Sequence, residues 1–387
     1  MRYSLLFVIV SFFSSFVYGE LDIRIPVVDM NDYSDPEKKE EFLNTLYNAM
    51  STVGFFAVQN TGVDAAIIRD AYAQAEMFFK QDLDEKMLSF AEETHGQRGF
   101  VPGEIGKGCT EKDKKEFFHV ARKTASPANV WPRQEGFQES LELLYDELET
   151  YTAPLLEAIV SSINQRSSIS LPPDFFYEMT KNGASLIRAL YYPALQNEEF
   201  EREKPLFWAT AHTDIDFLAI LPYATAQGLQ VEFQGQWLNV VVPEDAFIVN
   251  VGDMLENISN GLFVSARHRV LAQKTHQDRF SMVLFVHPYD KAPLDPLPSC
   301  IELTGGKQTY APGTREEFLW ERLLELNIAS SFLLKLYSET GHVERQAQYH
   351  RESPQVVELL MRHGLASPEL LQALDKRKAA VSNNGAL

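Results

Sequence analysis

Between Ala184 and His287 the chain breaks into short runs of β-branched and aromatic residues separated by turns. The runs are Leu186–Tyr192, Phe207–His212, Phe217–Leu221, Leu229–Phe233, Trp237–Val241, Phe247–Val251, Arg267–Leu271 and Phe280–Val286. Runs of this length and composition read as β-strands. About eight of them at this spacing suggest a jelly roll or a small barrel. Upstream the pattern is mixed. Ile25-Pro-Val-Val-Asp29 reads as one short strand, and Asp35-Pro36 opens an amphipathic helix reaching about Thr52. Gly54–Val58 reads as a buried strand closed by the Asn60-Thr-Gly62 turn. Helices are expected over about 63–80, 136–165 and 173–181, with 97–103 loop-like and 111–122 a mixed-charge stretch.

Past Pro288 a polar, Pro-containing segment leads to a helix over 314–326 and then to a helical tail. Within the tail, Val356-Val-Glu-Leu-Leu-Met-Arg-His-Gly-Leu365 resembles the second helix of an ankyrin repeat. One copy cannot form a repeat stack, so it reads as an ordinary helix with a Gly C-cap. The expected fold is mainly β with flanking helices. It has a jelly-roll core over 184–328, an N-terminal α/β region over 20–183 and a helical extension over 329–387.

The net charge of −19 argues against nucleic acid and anionic membrane surfaces as partners, since both repel an acidic surface. Residues 1–19 pair a short basic start with an uncharged apolar run, Ser4–Val17, ending in Val17-Tyr18-Gly19. That is the pattern of a cleaved secretory signal, with export to the periplasm or medium and no stable membrane insertion afterwards. An uncleaved anchor and a cytoplasmic enzyme with a misplaced start are the alternatives. Cys109 and Cys300 are compatible with one disulfide or with two unpaired thiols.

The chemistry gathers in three places. His212 and Asp214 are two residues apart in a β-rich stretch, so both are expected on one strand face. His268 is the candidate third ligand. Two His and one carboxylate on one face of a metal, with other positions open, is the usual non-haem Fe(II) oxygenase site, although the donor set also suits zinc. Arg279 and Ser281 share a strand face and offer a guanidinium and a hydroxyl to a carboxylate, and Tyr192 is placed to add a phenol. The segment Phe247-Ile-Val-Asn-Val-Gly-Asp253 reads as scaffold delivering the chain to His268.

With these residues in view, the chain resembles the Fe(II)/2-oxoglutarate-dependent dioxygenase superfamily, in the isopenicillin N synthase-like branch and nearest to its bacterial-type members. The resemblance covers roughly 23–327. It rests on the order of Ile25–Asp29, Gly54–Val58, Arg98-Gly-Phe100, Lys115–His119, Tyr191-Tyr-Pro193, His212-Thr-Asp214, Asn250–Asp253, His268-Arg-Val270 and Arg279-Phe-Ser281. It implies a distorted double-stranded β-helix. It also implies Fe(II) on His212, Asp214 and His268, and 2-oxoglutarate held by Arg279 and Ser281 with help from Tyr192. Dioxygen would complete the reaction, and a small organic substrate would be hydroxylated, desaturated or cyclised. Two positions depart from many plant members: Thr61 stands where they carry His, and Leu190 where they carry Asn. Two alternatives stay open at this point. One is an oxidase like isopenicillin N synthase or aminocyclopropane carboxylate oxidase, whose Arg-x-Ser pair takes the substrate's own carboxylate. The other is a non-catalytic zinc-binding protein.

Overall fold

The computed structural model describes residues 21–94, 96–103, 113–201 and 205–384. The expected signal at 1–19 lies outside them, as does Cys109, while Cys300 is buried with a free thiol. No helix among the described residues is long and apolar enough to cross a membrane.

All eight expected runs form strands, with ends moved by at most a residue. They are β6 Leu186–Tyr192, β7 Phe207–His212, β8 Leu218–Leu221, β9 Leu229–Phe233, β10 Gln236–Val241, β11 Phe247–Val251, β12 His268–Leu271 and β13 Arg279–Val286. The N-terminal region adds β1 Leu21–Arg24, β2 Val27–Asp29, β3 Phe55–Gln59, β4 Gly99–Val101 and β5 Glu116–Ala121. Two mixed sheets result. One has the order β1-β10-β9-β12-β7 and the other β2-β3-β11-β8-β13-β6-β5-β4.

The alternation within β13 shows how the large sheet serves two cores. Phe280, Met282, Leu284 and Val286 enter the core under the helices, whereas Val283 and Phe285 face the second sheet. The side-chain period of a strand is two, so Arg279 and Ser281 take the inward face with Val283. The neighbouring β6 does the same. Ile187, Ala189 and Tyr191 go to the helices; Leu190 and Tyr192 go inward. Helices Lys39–Thr52, Ala65–Phe79 and Phe137–Asn164 cover the outer face. The long helix buries Leu141, Leu144, Leu148, Leu155 and Ile159 on one stripe. Each such side chain contributes about 2 kcal/mol by leaving water. This core runs from Val28 to Cys300, so the N-terminal region and the jelly roll share it.

Three expectations need correction. Ile25–Asp29 is not one strand, because Pro26 interrupts it: β1 pairs with β10 in the small sheet, and β2 pairs with β3 in the large one. Proline has no N–H for a ladder, so the chain changes sheets there. The stretch 97–103 is not only loop, since Gly99–Val101 pairs with β5. Gly99 sits at φ 71°, and a Cβ there would lie 2.1 Å from the Ser89 carbonyl oxygen, so this strand depends on glycine. Within the mixed-charge stretch, Glu116–Ala121 forms β5, paired with β6 along its length.

The extension forms helices Ser331–Glu339, His342–Gln348, Pro354–Arg362 and Pro368–Asn384. Leu334, Tyr337, Val343, Val356, Leu360 and Leu370 make a separate core with Leu324 from the helix Arg315–Glu325. The expected Gly cap is present. Gly364 has φ 68°, its N–H donates to the Met361 carbonyl, and the Leu365 N–H donates to the Leu360 carbonyl. That pair of bonds is a Schellman motif.

Candidate metal centre and co-substrate pocket

His212 ends β7 and His268 opens β12, and the two residues face each other across the antiparallel pair. Their ring centroids are 4.4 Å apart. Asp214 lies past the end of β7, so it does not share a strand face with His212 as the two-residue spacing suggested. The turn brings it back: the Asp253 N–H holds the Asp214 carbonyl at 2.8 Å. Asp214 Oδ1 is then 3.8 Å from His212 Nε2, and Oδ2 is 3.5 Å from His268 Nε2. One donor atom from each of the three residues lies within 4.8 Å of the others, the sole such group among the described residues.

The ring orientations are fixed from behind. His212 Nδ1 is 2.7 Å from the Thr210 carbonyl and His268 Nδ1 is 3.2 Å from the Ala266 carbonyl. A carbonyl only accepts, so each ring donates from Nδ1 and turns its Nε2 toward Asp214. Phe55 packs edge-on against the His268 ring at 5.5 Å. Asn250, the one polar residue of β11, donates from Nδ2 to Asp214 Oδ2 at 2.8 Å. The small sheet thus supplies the imidazoles, and the large sheet supplies the donor that holds the carboxylate.

Charge state suits a divalent cation. Burial and His268 push the His212 imidazole down from its usual 6.5 despite the opposing Asp214, so it is neutral and free to ligate. Burial alone would raise the Asp214 carboxyl. His268, His212, the Asn250 amide and Arg188 outweigh it and hold Asp214 below 3.8. The donors on offer are two imidazole nitrogens and one carboxylate, a set that fits Fe(II).

Arg279 and Ser281 lie on the inner face of β13, opposite Tyr192 and Leu190 of β6. Arg279 is 2% exposed. Its Nε donates to the Ala226 carbonyl at 3.0 Å and its Nη1 to Ser281 Oγ at 3.1 Å. Tyr192 meets it through the ring face, 4.8 Å from the guanidinium carbon, rather than through the phenol. Among the described residues the guanidinium has no carboxylate partner, and its Nη2 makes no hydrogen bond to protein. A buried cation without a counter-charge is costly, so this pocket is built for an incoming anion. Leu190 packs in the apolar cluster beside Tyr192, Trp208 and Val283.

Sequence reasoning passed over Arg188 and treated Asn250 as scaffold. Arg188 shares the inner face of β6 with Tyr192, stacks on Phe117 at 4.4 Å, and donates from Nε to His119 Nε2 at 2.7 Å. His119 Nδ1 is engaged with the Gly96 carbonyl at 2.8 Å. The signal was present in both cases: a lone polar side chain in an otherwise apolar strand.

Two family models match. Residues 25–134 match the N-terminal domain described as non-haem dioxygenase in morphine synthesis, and residues 183–288 match the 2OG-Fe(II) oxygenase superfamily. A 2-oxoglutarate-dependent dioxygenase, caaD, of Aspergillus niger is 30% identical, over 68% of this chain and 84% of the relative. The chain belongs to the 2OG-Fe(II) oxygenase superfamily. Another relative, 2-oxoglutarate-dependent dioxygenase 11 of Oryza sativa, is 28% identical over 75% of this oxygenase and 78% of its own length. A full-length protein of Neurospora crassa, solved in complex with alpha-KG, shares the fold at a TM-score of 0.70 and 23% identity, covering 79% of this chain and 96% of its own. As a superfamily member the protein is an oxidoreductase. It uses Fe(II), 2-oxoglutarate and dioxygen to oxidise a small organic substrate.

Proposed function

We propose that His212, Asp214 and His268 hold the Fe(II), and that Arg279 with Ser281 receives the far carboxylate of 2-oxoglutarate over the Tyr192 ring. The buried Arg279, with no counter-charge among the described residues, carries this reading, because a dicarboxylate bound at the metal needs a cation at its other end. Bound Fe(II) supplies the dioxygen chemistry: 2-oxoglutarate and dioxygen give succinate and carbon dioxide, with the second oxygen atom available to the substrate. The protein's part is placement. The Nδ1 bonds of both His aim the Nε2 atoms, Asn250 orients Asp214, and Arg279 sets the reach of the co-substrate.

The test is an anaerobic titration of the protein with Fe(II) and then 2-oxoglutarate. A visible charge-transfer band is expected in the wild type and absent in Asp214→Ala. The same band in Asp214→Ala would remove the triad assignment. Substrate-dependent oxygen uptake that needs no 2-oxo acid would instead give Arg279 and Ser281 to the substrate's own carboxylate, the isopenicillin N synthase-like arrangement. Export belongs to the same proposal. It is supported by the apolar, uncharged run Ser4–Val17. N-terminal sequencing of the mature protein is expected to begin near Glu20, and an intact Met1 would overturn it.

A further inference from the structure

Asp253 opens the short helix Asp253–Ile258, and its carboxylate joins the two segments that carry the triad. Thr213, between His212 and Asp214, donates from Oγ1 to Asp253 Oδ2 at 3.1 Å. Ser265, three residues before His268, donates from Oγ to Asp253 Oδ1 at 2.6 Å. Arg322, far along the chain on the helix Arg315–Glu325, completes the arrangement. Its Nη2 meets Asp253 Oδ2 at 2.5 Å, and its Nη1 donates to the Thr213 carbonyl at 3.1 Å. One planar guanidinium therefore grips both the main chain between two ligands and the carboxylate tied to the segment of the third.

The extension holds Arg322 from the other side. Its Nε is 3.3 Å from Glu325 Oε2, and Glu325 Oε1 accepts from Ser353 Oγ at 2.7 Å, at the N-cap of the helix Pro354–Arg362. A side chain fixed at both ends loses little freedom when it braces a site. We propose that Arg322 is a positioning residue for the metal triad, acting through Thr213 and Asp253. It touches no ligand side chain; it sets where the two ligand-bearing segments stand relative to one another. The proposal rests on the metal-site reading above.

Fe(II) affinity of the metal-free, full-length protein tests it, measured anaerobically by competition with a chromophoric chelator. Arg322→Gln is expected to weaken Fe(II) binding about tenfold, the usual scale for a group that orients ligands, with Arg322→Lys restoring part of it. Ser265→Ala, which cuts the other arm on Asp253, should weaken binding severalfold in a chain with unchanged circular dichroism. Glu316→Gln, on the same helix but paired outward with Lys291, should leave affinity unchanged. A folded Arg322→Gln chain that binds Fe(II) within twofold of wild type overturns the role. Should Arg322→Gln not fold, Ser265→Ala decides, and unchanged affinity there overturns it. An Asp214→Ala chain with wild-type affinity would sink the metal site itself, which separates the two failures.

Discussion

Replacing Arg279 with Gln removes the buried cation beside Ser281 and Tyr192 while keeping a side chain of similar length. A guanidinium has five N–H donors. Ala226 and Ser281 engage two of them through Nε and Nη1, so three N–H groups remain for a bound carboxylate. Two of these directed at the far carboxylate of 2-oxoglutarate are each worth about 1.5–3 kcal/mol as charge-assisted bonds. Taking the lower end for both gives about 3 kcal/mol, or roughly a hundredfold in affinity. The matching measurement is anaerobic binding of 2-oxoglutarate to the Fe(II) protein, alongside 2-oxobutyrate, which has the same metal-binding end and no far carboxylate. Wild type should prefer 2-oxoglutarate by about that factor. Arg279→Gln should bring the two ligands close to parity, with Fe(II) affinity unchanged. A variant that keeps its preference within threefold of wild type would refute the placement of Arg279.

Other consequences follow from neighbouring groups. Asn250→Leu leaves Asp214 Oδ2 without its donor and should lower Fe(II) affinity about 10- to 100-fold, read by chelator competition; an unchanged affinity would show that Asn250 only fills space. On the helix Arg315–Glu325, burial would raise the Glu317 carboxyl, but Arg345, His342 and the Thr314 N–H outweigh it and hold it below 4.5. A depressed carboxyl stabilises the fold above its unfolded value and loses that contribution as pH falls through the folded one. Glu317→Gln should therefore be less stable than wild type at neutral pH, by about 1 kcal/mol. The gap should close below the ordinary carboxyl range; denaturant melts across pH that show it widening in acid would contradict this sign. Burial pushes the Cys300 thiol up to about 12. In a Cys109→Ser background it should resist alkylation at pH 8 until the chain is unfolded, and fast native labelling would place it at the surface.

The jelly-roll strands were legible because their signal is local. Arg279 to Val286 alternates in step with the pleat, and both sets of side chains are apolar except where the pocket begins. The contribution of the N-terminal region to both sheets was not legible. Pro26 marks a change of sheet only when β3 and β10 are already in place, and Gly99–Val101 is too short to announce itself. The site divides in the same way. His212 and Asp214 were found from a two-residue spacing, yet they converge through a turn held by Asp253 rather than by a shared strand face. Arg188 and Arg322 went unnoticed because an arginine in a strand or helix ordinarily reads as a solvated charge.

The sequence by itself determined the donor set, two imidazoles and a carboxylate, and the Arg-x-Ser pair that leaves room for a carboxylate beside them. Residue type and short spacing suffice for that, since they decide which atoms are available and, for Arg279 and Ser281, on which strand face they stand. Only the tertiary structure decided that His268 lies opposite His212, that Asn250 reaches Asp214 from the other sheet, and that Arg322 bonds to the turn between His212 and Asp214. Those contacts join residues 36 to 109 positions apart. They depend on strand register and on how two sheets and a distant helix pack, which no stretch of chain encodes alone.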